Sequence, residues 1–194
     1  MIRRLIPLSL PELKCLPMKH RIFAAILSLG IFTSAGCEMD KVTDYKNQTL
    51  ESFWASYSLN DERLKPYQVD GVLVSLAWPQ AGYQHYDASL ALIAPSSGAE
   101  IEVLRLEVRN LGALPLRAIG EIKVDQQIEG RALYRADRVI AVKIEAERLK
   151  QIAAANGGKL EAVLSVRVRR NGASTEKVIV IPFEEKVRKY APMR

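Results

Sequence analysis

Two cysteines, Cys15 and Cys37, and two histidines, His20 and His85, are all that the 194 residues hold of those types. Zinc and copper sites of the usual kind draw on clustered thiolates and imidazoles, so none is expected. No D-x-D-x-D-G loop is present for calcium. Acyl transfer by an activated serine calls for a neighbouring imidazole. The chain has no G-x-S-x-G motif, and no glycine-rich loop to cradle phosphate. Long apolar runs are missing too. The longest, Ile22 to Phe32, is eleven residues, short of the roughly 20 that a helix needs to cross a bilayer.

A functional excess of positive charge is also missing. The formal charge is +6, but five of the 28 basic residues and one of the 22 acidic ones precede Cys37. From Cys37 onward the net charge is only +2, which gives no electrostatic footprint for nucleic acid. Paired-carboxylate hydrolysis stays open in principle. Most acids, however, alternate with apolar residues, as on the wet face of a sheet.

What the sequence does have is an export signal. Lys19, His20 and Arg21 form a basic start, Ile22 to Phe32 an apolar core, and Thr33-Ser34-Ala35-Gly36 a run of small residues directly before Cys37. Ser34-Ala35-Gly36-Cys37 resembles the lipobox of bacterial lipoproteins, with Ser34 where leucine is usual. The resemblance implies that Cys37 is acylated and becomes the new N-terminus, with residues 1–36 removed as signal peptide. Residues 1–17 carry three prolines and displace the basic start, so Met18 reads as the true first residue. By the same resemblance, Glu38 rather than Asp after the cysteine implies delivery to the outer membrane, facing the periplasm. Cys15 would leave with the signal and Cys37 would carry lipid, so no intramolecular disulfide is expected. Several acyl chains hold a bilayer far more firmly than one.

Asp40 to Leu59 has helical spacing through Val42, Tyr45, Thr49, Phe53 and Tyr57. It predicts an amphipathic helix capped by Asp40, within an anchor and spacer covering 37–68. From Val69 the period becomes two. Val72, Val74, Leu76 and Trp78 share one face of a strand; Ala88, Leu90, Leu92 and Ala94 share one face of the next. Ile101 and Val103 are in one phase and Leu104, Leu106 and Val108 in the other, the signature of a β-bulge. Further strands are predicted over 116–128, 138–144, 160–170 and 175–183. Between the second and third of these, 145–155 reads as a short helix, stopped at Asn156-Gly157-Gly158. Asn171-Gly172 marks a tight hairpin. The expected fold is all-β: an antiparallel immunoglobulin-like β-sandwich over 69–185 with one short inserted helix, preceded by an N-terminal helix and followed by a charged tail at 186–194. A small β-barrel is the alternative.

The opening Gly71 to Leu76, with Ser75, and Leu149 in the strand–helix–strand order of 138–168, resemble YajI-type lipoproteins. That resemblance implies a helical spacer and one β-rich domain after the lipid cysteine, and no mechanism.

Two surface clusters are candidates for binding. Trp78, Tyr83, His85 and Tyr86 gather in one predicted connection, and Tyr and Trp favour contact sites. Alternatively they cover the core edge. Arg167, Arg169 and Arg170, with Lys186, Arg188 and Lys189, form a basic strand face and tail that could meet an anionic envelope glycolipid or polymer, or simply be solvated. The reading that follows is a non-enzymatic, lipid-anchored envelope protein. Its partners are membrane lipid at Cys37 and an envelope protein, with no nucleic acid, no metal and no cofactor beyond the covalent lipid. A cryptic hydrolase is the remaining alternative.

Overall fold

The computed structural model describes residues 40–81 and 84–190, with backbone alone at 40, 41, 189 and 190. The signal peptide, Cys37 and Tyr83 lie outside the described residues. In chain order the elements are β1 (Asp40–Lys46), α1 (Gln48–Ser56), a 3-10 turn (Glu62–Tyr67), β2 (Gln68–Val69), β3 (Val72–Ala77), β4 (His85–Ala94) and β5 (Ala99–Val108). They continue as β6 (Gly112–Ala113), β7 (Ile122–Val124), β8 (Gln126–Gln127), β9 (Tyr134–Glu145), α2 (Ala146–Ala155), β10 (Lys159–Arg170) and β11 (Ala173–Tyr190).

These strands form two antiparallel sheets. One has the order β1-β11-β10-β5-β6, with β7 also on β5; the other has the order β2-β3-β4-β9-β8. The all-β expectation is met in this coarse form. Turn chemistry fixes the register where the sequence says it should. Asn171 and Gly172 take φ of 51° and 78°, the left-handed pair that a two-residue hairpin needs. From there β10 and β11 pair without interruption from Arg170↔Ala173 to Lys159↔Glu184. The phase slip in β5 is a bulge: Ser165 faces Arg105 and Val166 faces Val103, so Leu104 is the extra residue. Leu104 is therefore exposed while Leu106 and Val108 are buried.

The core fills the space between the sheets. Val72, Val74, Leu76, Leu90 and Leu92 from one sheet join Ile101, Leu106, Leu164, Val166, Ile179, Ile181 and Phe183 from the other in one buried cluster. Leu73 and Ile93 point the opposite way from their strand neighbours yet are also fully buried, so that outer face is covered. A cation–π contact from Arg135 of β9 to Trp54, 4.7 Å from the ring centre, places α1 over it. α2 links β9 to β10 and packs Leu149 and Ala153 inward.

Three expectations change. The predicted helix over 40–59 is a strand for its first half, with helix only over Gln48–Ser56. The β-branched and aromatic run Val42, Thr43 and Tyr45 fits a pleated surface, and pairing from Asp40↔Tyr190 to Lys46↔Glu184 decides it. The helix cap is Asn47, whose side chain accepts from the Leu50 amide at 2.9 Å, and not Asp40. Second, the charged tail is strand as far as Tyr190, being the other half of that pairing. Segment 40–67 is thus part of the packed body, contributing Tyr45, Leu50, Phe53 and Leu64 to its core. Third, 116–128 is not one strand: only β7 and β8 form there, because Pro115 and the left-handed Gly120 (φ 63°) break the ladder.

Candidate functional site

The predicted aromatic cluster does not form a displayed surface. Trp78 is 4% exposed and packs edge-on against Phe183, with ring centres 5.8 Å apart. Tyr86 is fully buried; its hydroxyl donates to the Thr43 carbonyl, and its ring meets Tyr45 at 5.5 Å. Tyr86 sits in one sheet and Thr43 in the other, so this bond clasps the sandwich shut. His85 is half-buried at the start of β4, paired with Glu145. Trp78 and Tyr86 cover the core edge, as the alternative reading of this connection had it.

The basic face is occupied as well. Arg167 donates to Glu102 at 2.7 Å and to Glu176 at 2.6 Å. The hydrogen bond and charge of Glu176, reinforced by Glu102, hold the guanidinium above its ordinary pKa. Arg169 pairs with Glu121. Arg170 donates to the Asp70 carbonyl at 2.9 Å and to Ser96 Oγ at 2.6 Å, strapping two turns together. Lys186 and Arg188 lie at the other end of β11, thirteen or more residues beyond Ala173, or roughly 40 Å along a strand. The structure does not bring the two halves of the patch together.

A different site stands out where both sheets end on the same side. A cleft of about 410 Å³ is lined by Asp44, Tyr45, Lys46 and Asn47 of the β1 end, Leu50, Glu51 and Trp54 of α1, and Ser75 to Pro79, with Ser89 and Phe183. Its walls are mainly apolar and aromatic. At its rim Lys46 and Glu51 form an ion pair at 2.5 Å, while Asp44 is paired with Arg188. No histidine is among the lining residues, so the Ser75 and Ser89 hydroxyls have no imidazole beside them. A cleft of this size with apolar and aromatic walls can receive a ligand group.

Buried polar atoms single this cleft out. Five buried side-chain atoms among the described residues make no hydrogen bond: Asp44 Oδ2, Tyr45 OH, Trp78 Nε1, Arg135 Nε and Glu161 Oε1. Three of these take part in ion pairs, with Arg188, Asp137 and Arg109. The two left without any partner, Tyr45 OH and Trp78 Nε1, both belong to residues lining the cleft. An orphaned buried donor costs about 1–3 kcal/mol, and both atoms are themselves closed to the cleft's solvent. Burial first, then the charges of Tyr86, Glu185 and Glu147, raise the Tyr45 phenol well above its ordinary pKa, so it is a neutral donor.

Of the described residues predicted to form a site, only Trp78 lines this one. Tyr45 and Trp54 look in the sequence like members of a helical stripe, and Phe183 like a core strand residue. No local signal brings positions 45, 54, 78 and 183 together.

Among the described residues no three His, Cys, Asp or Glu side chains gather as metal ligands, and no helix is long and apolar enough to cross a membrane. Comparison of the chain with protein-family models, curated proteins and solved structures found no match in any of the three.

Proposed function

We propose that this chain is a bacterial envelope lipoprotein, anchored by acyl chains on Cys37 at the outer membrane facing the periplasm. In this reading its sandwich, immunoglobulin-like in architecture, is a non-enzymatic module that binds a protein partner in the cleft. The observation that carries the binding role is the aromatic-walled cleft of about 410 Å³ between the β1–α1 segment and β3. The lipid anchor rests on Ser34-Ala35-Gly36-Cys37. Its placement is consistent with the fold. Only Glu38 and Met39 separate Cys37 from β1, and that distance, at most about 3.5 Å per residue, holds the β1–β11 end close to the bilayer. The glycolipid alternative is the less favoured reading, because Arg167, Arg169 and Arg170 each already have a partner.

Two measurements test the reading. Cys37→Ser should move the protein from the membrane fraction to the soluble fraction. A variant that stays membrane-bound and fully processed would overturn the anchor. A photo-crosslinker at the exposed Ala77 in living cells should give a discrete adduct with one envelope protein. The same crosslinker at Val142, exposed elsewhere on β9, should not. Adducts equal at both positions, or at neither, would remove the partner-binding role.

A further inference from the structure

Away from the cleft, apolar side chains gather on the outer face of the sheet that holds β5, β10 and β11. Val178 and Val180 alternate with the buried Ile179 and Ile181 and are 59% and 45% exposed; Leu104, the extra residue of the bulge, is 37% exposed. Register brings them together. Val180 pairs with Val163, and Val178 with Ser165, which faces Arg105 beside Leu104. Of the five large apolar side chains exposed among the described residues, three lie on this patch. A gathering of that kind, rimmed by polar groups, marks a contact surface more often than scattered single residues do.

The charges around the patch decide what fits on it. Pairing sets the face out in rows across β11, β10 and β5. One row is Val180, Val163 and Glu107, and the row beside it is Val178, Ser165 and Arg105. Beyond the first row come Pro182, Glu161 and then Arg109, whose amide donates to the Glu161 carbonyl at 2.9 Å. Beyond the second come Glu176, Arg167 and Glu102. A two-fold axis running across the strands between the first two rows lays each row over its counterpart in a second copy. Val180 then meets Val178, and Val163 meets Ser165. Glu107 meets Arg105, Glu161 meets Arg167, and Arg109 meets Glu102. Each of these charges already has a partner of opposite sign within its own copy, and the axis sets each such pair against a reversed one. An axis along β10 instead places Arg167 on Arg167 and Glu161 on Glu161, so the charges select one orientation. The like-charged Lys159 and Arg169 meet only in the outermost row, where both are exposed. A partner of one charge sign would be repelled by about as many of these groups as attract it.

We infer that this face binds the same face of a second copy of the chain, forming a symmetric dimer with antiparallel strands centred on Val178 and Val180. The dimer goes beyond the partner reading of the cleft, and neither depends on the other. Three strands and six rows make a face of about 500 Å², so two copies bury about 1,000 Å², at the lower bound for a specific interface. The dimer is therefore a weak one in free solution. Rotation about this axis leaves the β1 margins of both copies on the same side. The two anchors proposed at Cys37 then reach one bilayer, where confinement raises the effective concentration.

The test is sedimentation equilibrium of the full chain in detergent. The native chain should dimerise reversibly. Val180→Lys should weaken the dimer at least about tenfold with circular dichroism unchanged. Arg167→Glu alone and Glu161→Arg alone should each weaken it at least about fivefold, because each sets like charges against each other at both symmetric contacts. An equal mixture of those two variants restores opposite charges at both contacts, so it should associate nearly as tightly as the native chain. Damage confined to one copy is not repaired by mixing. A native chain that stays monomeric at about 1 mM overturns the dimer, as does undiminished association of Val180→Lys. So does a mixture no tighter than its components. In cells, a photo-crosslinker at Val178 should give an adduct of twice the chain's mass. An adduct of any other mass assigns the face to a different protein and overturns the dimer.

Discussion

Along one sheet, β1 covers only the C-terminal half of β11 and leaves residues 173–183 with no strand on that side. Along the other, β2 covers only the first two residues of β3. The two vacancies are on the same flank of the sandwich and look alike in a topology diagram, yet they are guarded to different degrees. The β11 edge has the 3-10 turn against it. Lys177 reaches from the strand to the carbonyls of Gln68 at 2.7 Å and Lys65 at 3.4 Å. Asn47 donates to the Pro182 carbonyl at 2.7 Å, and Pro182 has no amide to offer an incoming strand. Lysine, proline and a covering segment are the usual means by which a sheet edge is made unattractive to other chains. The β3 edge has the same 3-10 turn against it, and Val74 and Leu76 are buried there, but its residues Val74, Ser75, Leu76 and Ala77 include neither lysine nor proline. The 3-10 turn covers both vacancies, and only the β11 edge adds lysine and proline to that cover.

The largest change should come from cutting the clasp between the two sheets. Tyr86→Ala removes a fully buried ring and its bond to Thr43 across the sheets. It should cost about 3–5 kcal/mol in urea denaturation, whereas Tyr86→Phe should cost only about 1 kcal/mol. Equal costs would mean that the hydroxyl, and not the ring, holds the flank together. Alkaline pH probes the same clasp. Burial, followed by the charges of Asp44 and Glu185, pushes the Tyr86 phenol up to about 12, against about 10 in an unfolded chain. The folded state then keeps a proton that the unfolded state has lost. The contribution is fully present below pH 10 and is lost as pH rises through the window from 10 to 12. Absorbance at 295 nm should show these buried tyrosines ionising only as the fold opens. Their titration near pH 10 in an intact fold would contradict the clasp.

A smaller effect is expected at the β11 edge. Asn47 is buried, caps α1 through Leu50, and donates to both Tyr67 OH at 3.2 Å and the Pro182 carbonyl. Asn47→Ala should cost about 2 kcal/mol, a cap plus buried bonds, and should speed amide exchange around Ile181. Unchanged exchange there would show that Asn47 serves the helix and not the edge. The smallest is Lys177→Ala, about 1 kcal/mol for a partly exposed charged donor. Its sharper signature should be self-association beyond that of the native chain on sedimentation as protein concentration rises, because a guarded edge becomes an open one. A variant that associates no further than the native chain would leave the 3-10 turn as the whole guard.

How much of this was legible in sequence differs by element. β3, β4, the β5 bulge, α2, β10 and the Asn171-Gly172 turn follow from local pattern, because burying one face forces a period of two and a left-handed turn selects Asn and Gly. β1 does not. Its spacing suits a helix as well as a strand, and its partner lies at the opposite end of the chain. The charged C-terminal half of β11 hides for the same reason: a two-stranded ribbon at a sheet margin buries little, so no apolar alternation announces it. The candidate residues misled in proportion to their apparent exposure. Trp78 and Tyr86 look like surface aromatics because polar residues stand between them in sequence. Arg167 and Arg169 look like a patch because Glu102 and Glu121 are far off along the chain, and Glu176 comes beside Arg167 only through the β10–β11 hairpin.

By itself, the sequence determined the lipobox-like Ser34 to Cys37 pattern, the near-neutral charge beyond it, the scarcity of imidazole and thiol, and the two-period strands that commit the chain to an all-β core. These are properties of composition and of neighbours within a few residues. Only the tertiary structure decided that segment 40–67 belongs to the body, that the arginines are neutralised, and that one 3-10 turn covers two strand edges. Most of these depend on pairings between residues distant in the chain, such as Asp40 with Tyr190 and Arg167 with Glu102. Local periodicity reports which side of a strand is buried, and it carries no information about what lies along the strand's edge.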